Sequence, residues 1–106
     1  MIKWAENLYL SEDINSKKKK KLMKAIEKGK LTFELYCITF ASNPDNLFDI
    51  LNANELLFPY YSRQEIYILG LAKSKDLAKL LVKDMIVEVY DSTGGFGVRE
   101  YFAYNF

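Results

Sequence analysis

The chain has 106 residues, 15 basic and 14 acidic, with no histidine and a single cysteine; half of the residues are hydrophobic and 15% are aromatic. That length makes one domain, and the composition is too apolar for a disordered chain. The absence of histidine excludes Ser-His-Asp and Cys-His catalysis and histidine-built zinc sites. The lone Cys37 excludes an internal disulfide, a redox pair and a cysteine-built zinc site within one chain.

In chain order, residues 4–10 alternate loosely and set Trp4, Leu8 and Leu10 on one face, which predicts a short strand. Ser11, Glu12 and Asp13 then supply a cap and acidic first-turn residues for a helix that ends at Gly29. Its apolar stripe is narrow: Leu22, Ala25 and Ile26. Residues 15–30 hold eight lysines against Glu27 alone, a local charge of +7 that leaves −6 on the rest of a chain whose net charge is +1. The sequence therefore describes a basic helix on a mildly acidic body.

Residues 31–41 predict the clearest strand, alternating at first through Leu31, Phe33 and Leu35, then apolar on both faces. Ser42-Asn43-Pro44-Asp45 reads as the capped opening of a second helix with Leu47, Ile50 and Leu51 on its buried face. An apolar loop around Pro59 leads to residues 66–72, whose continuous apolar run suits an interior parallel strand, with Gly70 allowing close packing of a helix. Ser74 caps a last helix over roughly 75–91 that buries Leu77, Ala78, Leu81, Met85 and Val89. Met85–Tyr90 is β-branched enough to read as a strand instead. Residues 94–106 read as an edge strand or an ordered tail. The expected architecture is a single α/β domain over residues 1–106. It would have a three- to four-stranded, mostly parallel sheet in βαβαβα order with flanking helices.

Three candidate sites emerge. The first is aromatic. Eight of the sixteen aromatic residues lie outside the expected helices and strands, in the segment around Tyr60 and in the tail. Leu56, Leu57, Phe58, Tyr60, Tyr61 and Arg63, with Tyr101 and Phe102, combine the aliphatic, aromatic and arginine side chains that interface centres use. They either fold over a sheet face or meet a partner, for which a symmetric homodimer is the usual form. The second is Lys17, Lys18, Lys19, Lys20, Lys21, Lys24 and Lys28, a surface for nucleic acid or another polyanion. Its plainer alternative is a solvated helix that keeps an aromatic-rich protein soluble. The third is a small-anion site for an enzyme or sensor at two helix N-termini, using Ser42, Asn43, Lys73, Ser74 and Lys75.

Other motifs carry less. Gly95-Phe-Gly97 echoes the RNA-recognition-motif signature but lacks its basic first residue and its following aromatic-aliphatic pair, and no helix and final strand can follow it. These glycines also follow the last helix instead of preceding one, so they make no phosphate loop. Asp45, Asp49 and Glu55 show no acid–base spacing, and Cys37 reads as an inert core thiol.

The phrases Asn52-Ala-Asn-Glu-Leu-Leu-Phe-Pro-Tyr-Tyr-Ser-Arg-Gln64, Ile68-Leu-Gly-Leu-Ala-Lys73 and Thr93-Gly-Gly-Phe96, with Val98-Arg99 and Tyr101-Phe102, resemble a family of small uncharacterised bacterial proteins. The resemblance implies no catalytic or binding residue. No stretch approaches the roughly 18 apolar residues of a membrane span, and Glu6 stands where a signal peptide carries an apolar run. The expectation is thus a cytoplasmic, non-catalytic interaction module without cofactor, metal or membrane. It would form a homodimer through loop 56–61 and the C-terminal tail, with nucleic-acid binding by the lysine helix as the alternative.

Overall fold

A computed structural model describes all 106 residues. Strand β1 (Ile2–Leu10) leads to helix α1 (Ser16–Glu27), then to β2 (Tyr36–Phe40) and β3 (Phe48–Asn52). A 3-10 turn (Ala53–Leu57) and the short α2 (Pro59–Ser62) follow, then β4 (Ile66–Ala72), α3 (Lys75–Thr93), α4 (Val98–Phe102) and a closing 3-10 turn (Ala103–Asn105). The four strands form one sheet in the order β1-β4-β2-β3.

This α/β domain corrects the expected topology. Only β1 and β4 run parallel; β2 is antiparallel to both β3 and β4, so the sheet is mixed and the order is not βαβαβα. The difference starts at residues 42–52, where the cap and proline signals open a hairpin turn and not a helix. Asn43 accepts from the Asp45 amide in an Asx-turn, and the Ala41 amide donates to Leu47 O. Only a handful of residues separate that turn from Asn52, too few for a stable helix. Phe48 and Ile50 instead pair with Phe40 and Ile38 across β2.

The interior reading of residues 66–72 holds, since β4 lies between β1 and β2 and buries nearly every residue. A shift in its pairing with β2 near Gly70 changes which face its side chains take. Ile66, Ile68 and Leu71 face the core under α1, with Ile26, Leu35 and Cys37. Leu69 and Ala72 face the core under α3 and α4, with Ile38, Met85, Val89, Val98 and Phe102. The sheet is thus covered on both faces.

Local boundaries moved for identifiable reasons. The strand expected over 31–41 pairs only from Tyr36, because Glu34 takes a left-handed φ of 44° that breaks the extended run. Helix α1 is capped by Asn15, not Ser11, so Glu12 and Asp13 precede it and its first turn contains no acid. Ser11 is occupied elsewhere, its hydroxyl donating to Asp13 and accepting from the Lys73 amide. Residues 85–90 are helical, and α3 continues to the left-handed cap Gly94. Of the two readings of the tail, the ordered one holds: it forms no strand, and α4 and the last turn pack it onto the sheet. No helix is long and apolar enough to cross a membrane.

Candidate functional site

The three candidate surfaces separate in space. On α1, Ile26 is buried and Leu22 and Met23 pack against the core. At 100° per residue, Lys17, Lys21, Lys24 and Lys28 then fall on a single stripe opposite Ile26, and all four are exposed. Lys20 lies on the flank of that stripe and is exposed, as is Lys18, whose ammonium donates to the Asp13 carbonyl at 3.3 Å. Lys19 turns toward the core side and is half-buried.

None of these lysines has an acidic partner. The molecule contains one ion pair, Lys3 with Glu65 at 4.0 Å, so the charge of the helix is uncompensated. Beside the stripe lies a groove of about 610 Å³ between α1 and the edge strand β1, lined by Trp4, Lys20, Lys21, Met23, Lys24 and Glu27. Trp4 reaches it from β1, and its indole N–H donates to the Glu27 carboxylate. The sequence reading placed Trp4 only on a strand face. Nothing in the spacing of residues 4 and 27 signals the contact, since the parallel pairing of β1 with β4 sets it.

The aromatic candidate divides. Phe102 is 2% exposed, a core residue stacked edge-on against Tyr9 at 5.9 Å, and so is not available to a partner. Tyr101 is half-buried, donating to Glu88 Oε2 at 2.9 Å while Tyr9 donates to Glu88 Oε1 at 2.6 Å. The burial of Tyr9 and that carboxylate both raise its phenol pKa above the ordinary value. Leu56 and Tyr61 pack against the core under α1. Partial burial, reinforced by Glu55, Tyr60 and Asp49, pushes the Tyr61 phenol up.

Leu57, Phe58, Tyr60 and Arg63 remain exposed. Leu31 and Phe33 join them in exposing large apolar side chains, at 78% and 79%. Thr32 is tied to Asn54 by its amide and its carbonyl, which holds residues 31–33 beside the turn that carries Leu57.

The anion candidate comes apart. Because β2 and β4 are antiparallel, with Tyr36 opposite Ala72 and Thr39 opposite Ile68, Ser42 and Ser74 leave opposite ends of the sheet. Ser42 caps no helix; its amide and hydroxyl both donate to Asp49 Oδ2 at 3.0 Å, and Asn43 closes the hairpin turn. Ser74 is an ordinary cap of α3, accepting from the Leu77 amide at 3.1 Å. The Lys73 ammonium donates to the Phe33 carbonyl at 2.9 Å, and Lys75 is exposed.

Near Ser42 a cleft of about 230 Å³ gathers Asp49, Tyr61, Glu65, Tyr67 and Arg99. Arg99 stacks over Phe40 at 5.0 Å and donates to the Ala41 carbonyl at 2.6 Å. In that lining the Ser42 hydroxyl donates to Asp49 at 3.0 Å and the Tyr67 hydroxyl to Glu65 at 2.9 Å, and side chains of both charges face the cleft. No group of three His, Cys, Asp or Glu side chains converges to hold a metal. Compared with family models, curated proteins and solved structures, the chain matches none.

Proposed function

We propose that this chain is a non-catalytic binding module whose α1 surface holds an extended polyanion of the nucleic-acid type. The observation that carries the reading is the unpaired stripe Lys17, Lys21, Lys24 and Lys28, opposite the buried Ile26. Successive lysines rise about 4.5–6 Å along the axis, so the stripe spans about 16 Å of continuous positive surface. A helix shaped only for stability would carry acids in its first turn, where the macrodipole is positive. Here that turn holds Lys17, Lys18 and Lys19 and no acid. Solubility alone is served as well by interspersed signs; a one-sign run makes a field that draws polyanions. The helix carries no arginine, asparagine or glutamine within Ser16–Glu27 to read base edges, so binding would be sequence-tolerant.

The test is anisotropy of labelled oligonucleotides titrated with the protein across a salt series. Four phosphate contacts, one for each lysine of the stripe, predict a log–log salt slope of about −3 to −4, and glutamine at Lys17, Lys21, Lys24 and Lys28 should abolish it. No binding at low salt would refute the reading.

A second reading has its own observation. Loop 56–61 leaves an apolar surface, with Leu57 beside the Leu31–Phe33 segment and Phe58 and Tyr60 further along the loop toward the Ser42 cleft. It supports self-association as a homodimer through loop 56–61, without the tail. Light scattering at high micromolar concentration tests it: a dimer that Phe58→Glu dissociates supports the interface, and a strict monomer removes it. The two readings are compatible, because α1 and the loop are separate surfaces.

A further inference from the structure

The one tryptophan of the chain sits in the lysine groove. Trp4 belongs to β1, an edge strand of the sheet, and its side chain lies under α1, with Lys20, Lys21 and Lys24 around it and Met23 as the other apolar wall. Glu27 accepts the indole N–H and so restrains the ring before any ligand arrives. A ring restrained in this way loses little freedom on binding. We infer that the α1 groove takes single-stranded nucleic acid, its backbone along the lysines and one base stacked on the Trp4 indole; this rests on the polyanion reading above.

The choice of single strand over duplex follows from what each presents. Bases in a duplex are already stacked and paired, and reaching one requires extruding it. A single strand offers free π-faces at no such cost, and single-strand binders combine a basic track with an aromatic platform, the combination found here. The stacking face is tolerant of base identity, which agrees with the absence of arginine, asparagine and glutamine from α1. The groove, about 610 Å³, is within the size range of small-ligand sites, roughly 300–1,000 Å³.

Because Trp4 is the only tryptophan, its emission reports the groove directly in the unaltered protein. The experiment titrates the protein with an oligo-dT strand, with a duplex of equal length and with heparin, following both tryptophan emission and salt-dependent affinity. The expected result is quenching by oligo-dT alone, with oligo-dT bound more tightly than the duplex. Trp4→Leu should weaken oligo-dT by about 5- to 100-fold, Trp4→Phe should weaken it less because a ring remains, and heparin affinity should be unchanged in both. Circular dichroism of the two variants checks that the fold survives, and the emission of the native protein needs no variant at all. Binding of all three ligands with unchanged emission, or equal affinity for strand and duplex, would overturn the stacking site while leaving the lysine surface standing. No binding of any of the three would overturn both.

Discussion

Gly70 of β4 runs directly against the carbonyl of Tyr9 on β1: a Cβ at residue 70 would lie 2.8 Å from that oxygen, 3.2 Å from Ile38 Cδ1 and 3.3 Å from Tyr9 Cβ. The neighbour that demands a glycine is therefore the adjacent strand and not a packed helix, as the sequence suggests. The obstruction is backbone, which cannot swing away as a long side chain would. Gly70→Ala should destabilise the domain by about 1–3 kcal/mol through forced strand separation. That outweighs the roughly 0.4–1 kcal/mol that alanine contributes by restricting the unfolded chain. Urea denaturation measures it; a gain in stability would show that β1 yields easily.

Charge reversal on α1 should move stability and binding in opposite directions. Lys17 lies in a first turn without acids and is followed four residues later by Lys21. Glutamate at Lys17 would favour the helix dipole by about 0.3–1 kcal/mol and replace a like-charge pair by an attractive one, worth a further few tenths. The expected outcome for Lys17→Glu is a higher melting temperature with several-fold weaker oligonucleotide binding. Equal binding by the variant would mean that the stripe is only solvated surface.

Stability should fall in alkali from about pH 9. Burial of Cys37 pushes its thiol up from 9.0 to about 12. The folded state therefore keeps a proton that the unfolded chain releases first. The stability from this group is complete below pH 9 and is lost as pH rises toward 12, at a limiting slope of about 1.4 kcal/mol per pH unit. Tyr9, raised by its burial and by Glu88, adds to the loss above its ordinary value of 10.0. Chemical denaturation at stepped pH should show a flatter decline from pH 9 upward for Cys37→Val and a flatter decline only above 10 for Tyr9→Phe. Cys37 should also resist thiol reagents at pH 8 until the protein is unfolded.

The C-terminus is clamped to the first strand through Asn105. Its Oδ1 accepts from the Asn7 amide at 3.0 Å and its side-chain amide donates to the Asn7 carbonyl at 3.2 Å, with the residue 6% exposed. These bonds satisfy the β1 backbone where the pairing with β4 is interrupted between Trp4 and Tyr9. Asn105→Ala should cost about 0.5–1.5 kcal/mol, the net worth of the lost bonds, because Asn7 itself is exposed. Hydrogen exchange at Asn7 should report the loss locally, whereas an unchanged rate would show that water replaces the clamp.

Neighbouring residues along the chain were enough to mark β4 as interior, α3 as a long capped helix with Ala78, Met85 and Val89 buried, Cys37 as a core thiol and the lysines as a charged helix. Each of these follows from apolar periodicity or from caps, which act within a few residues. The hairpin at residues 41–47 was not legible. The same Asn-Pro-Asp residues open a helix or a turn, and the pairing of Phe48 and Ile50 with β2 chose between them.

That choice propagated. Reversing β2 relative to β4 dispersed the Ser42 and Ser74 pair to opposite ends of the sheet, and packing α4 on the sheet took Phe102 out of any interface. The placement of Trp4 among Lys20, Lys21 and Lys24 likewise required β1 to dock beside β4 with α1 across it. The cause is common to all three. Hydrogen-bond pairing between distant strands and burial of both sheet faces are long-range terms. They outweigh local propensity wherever a segment is as short as 42–52.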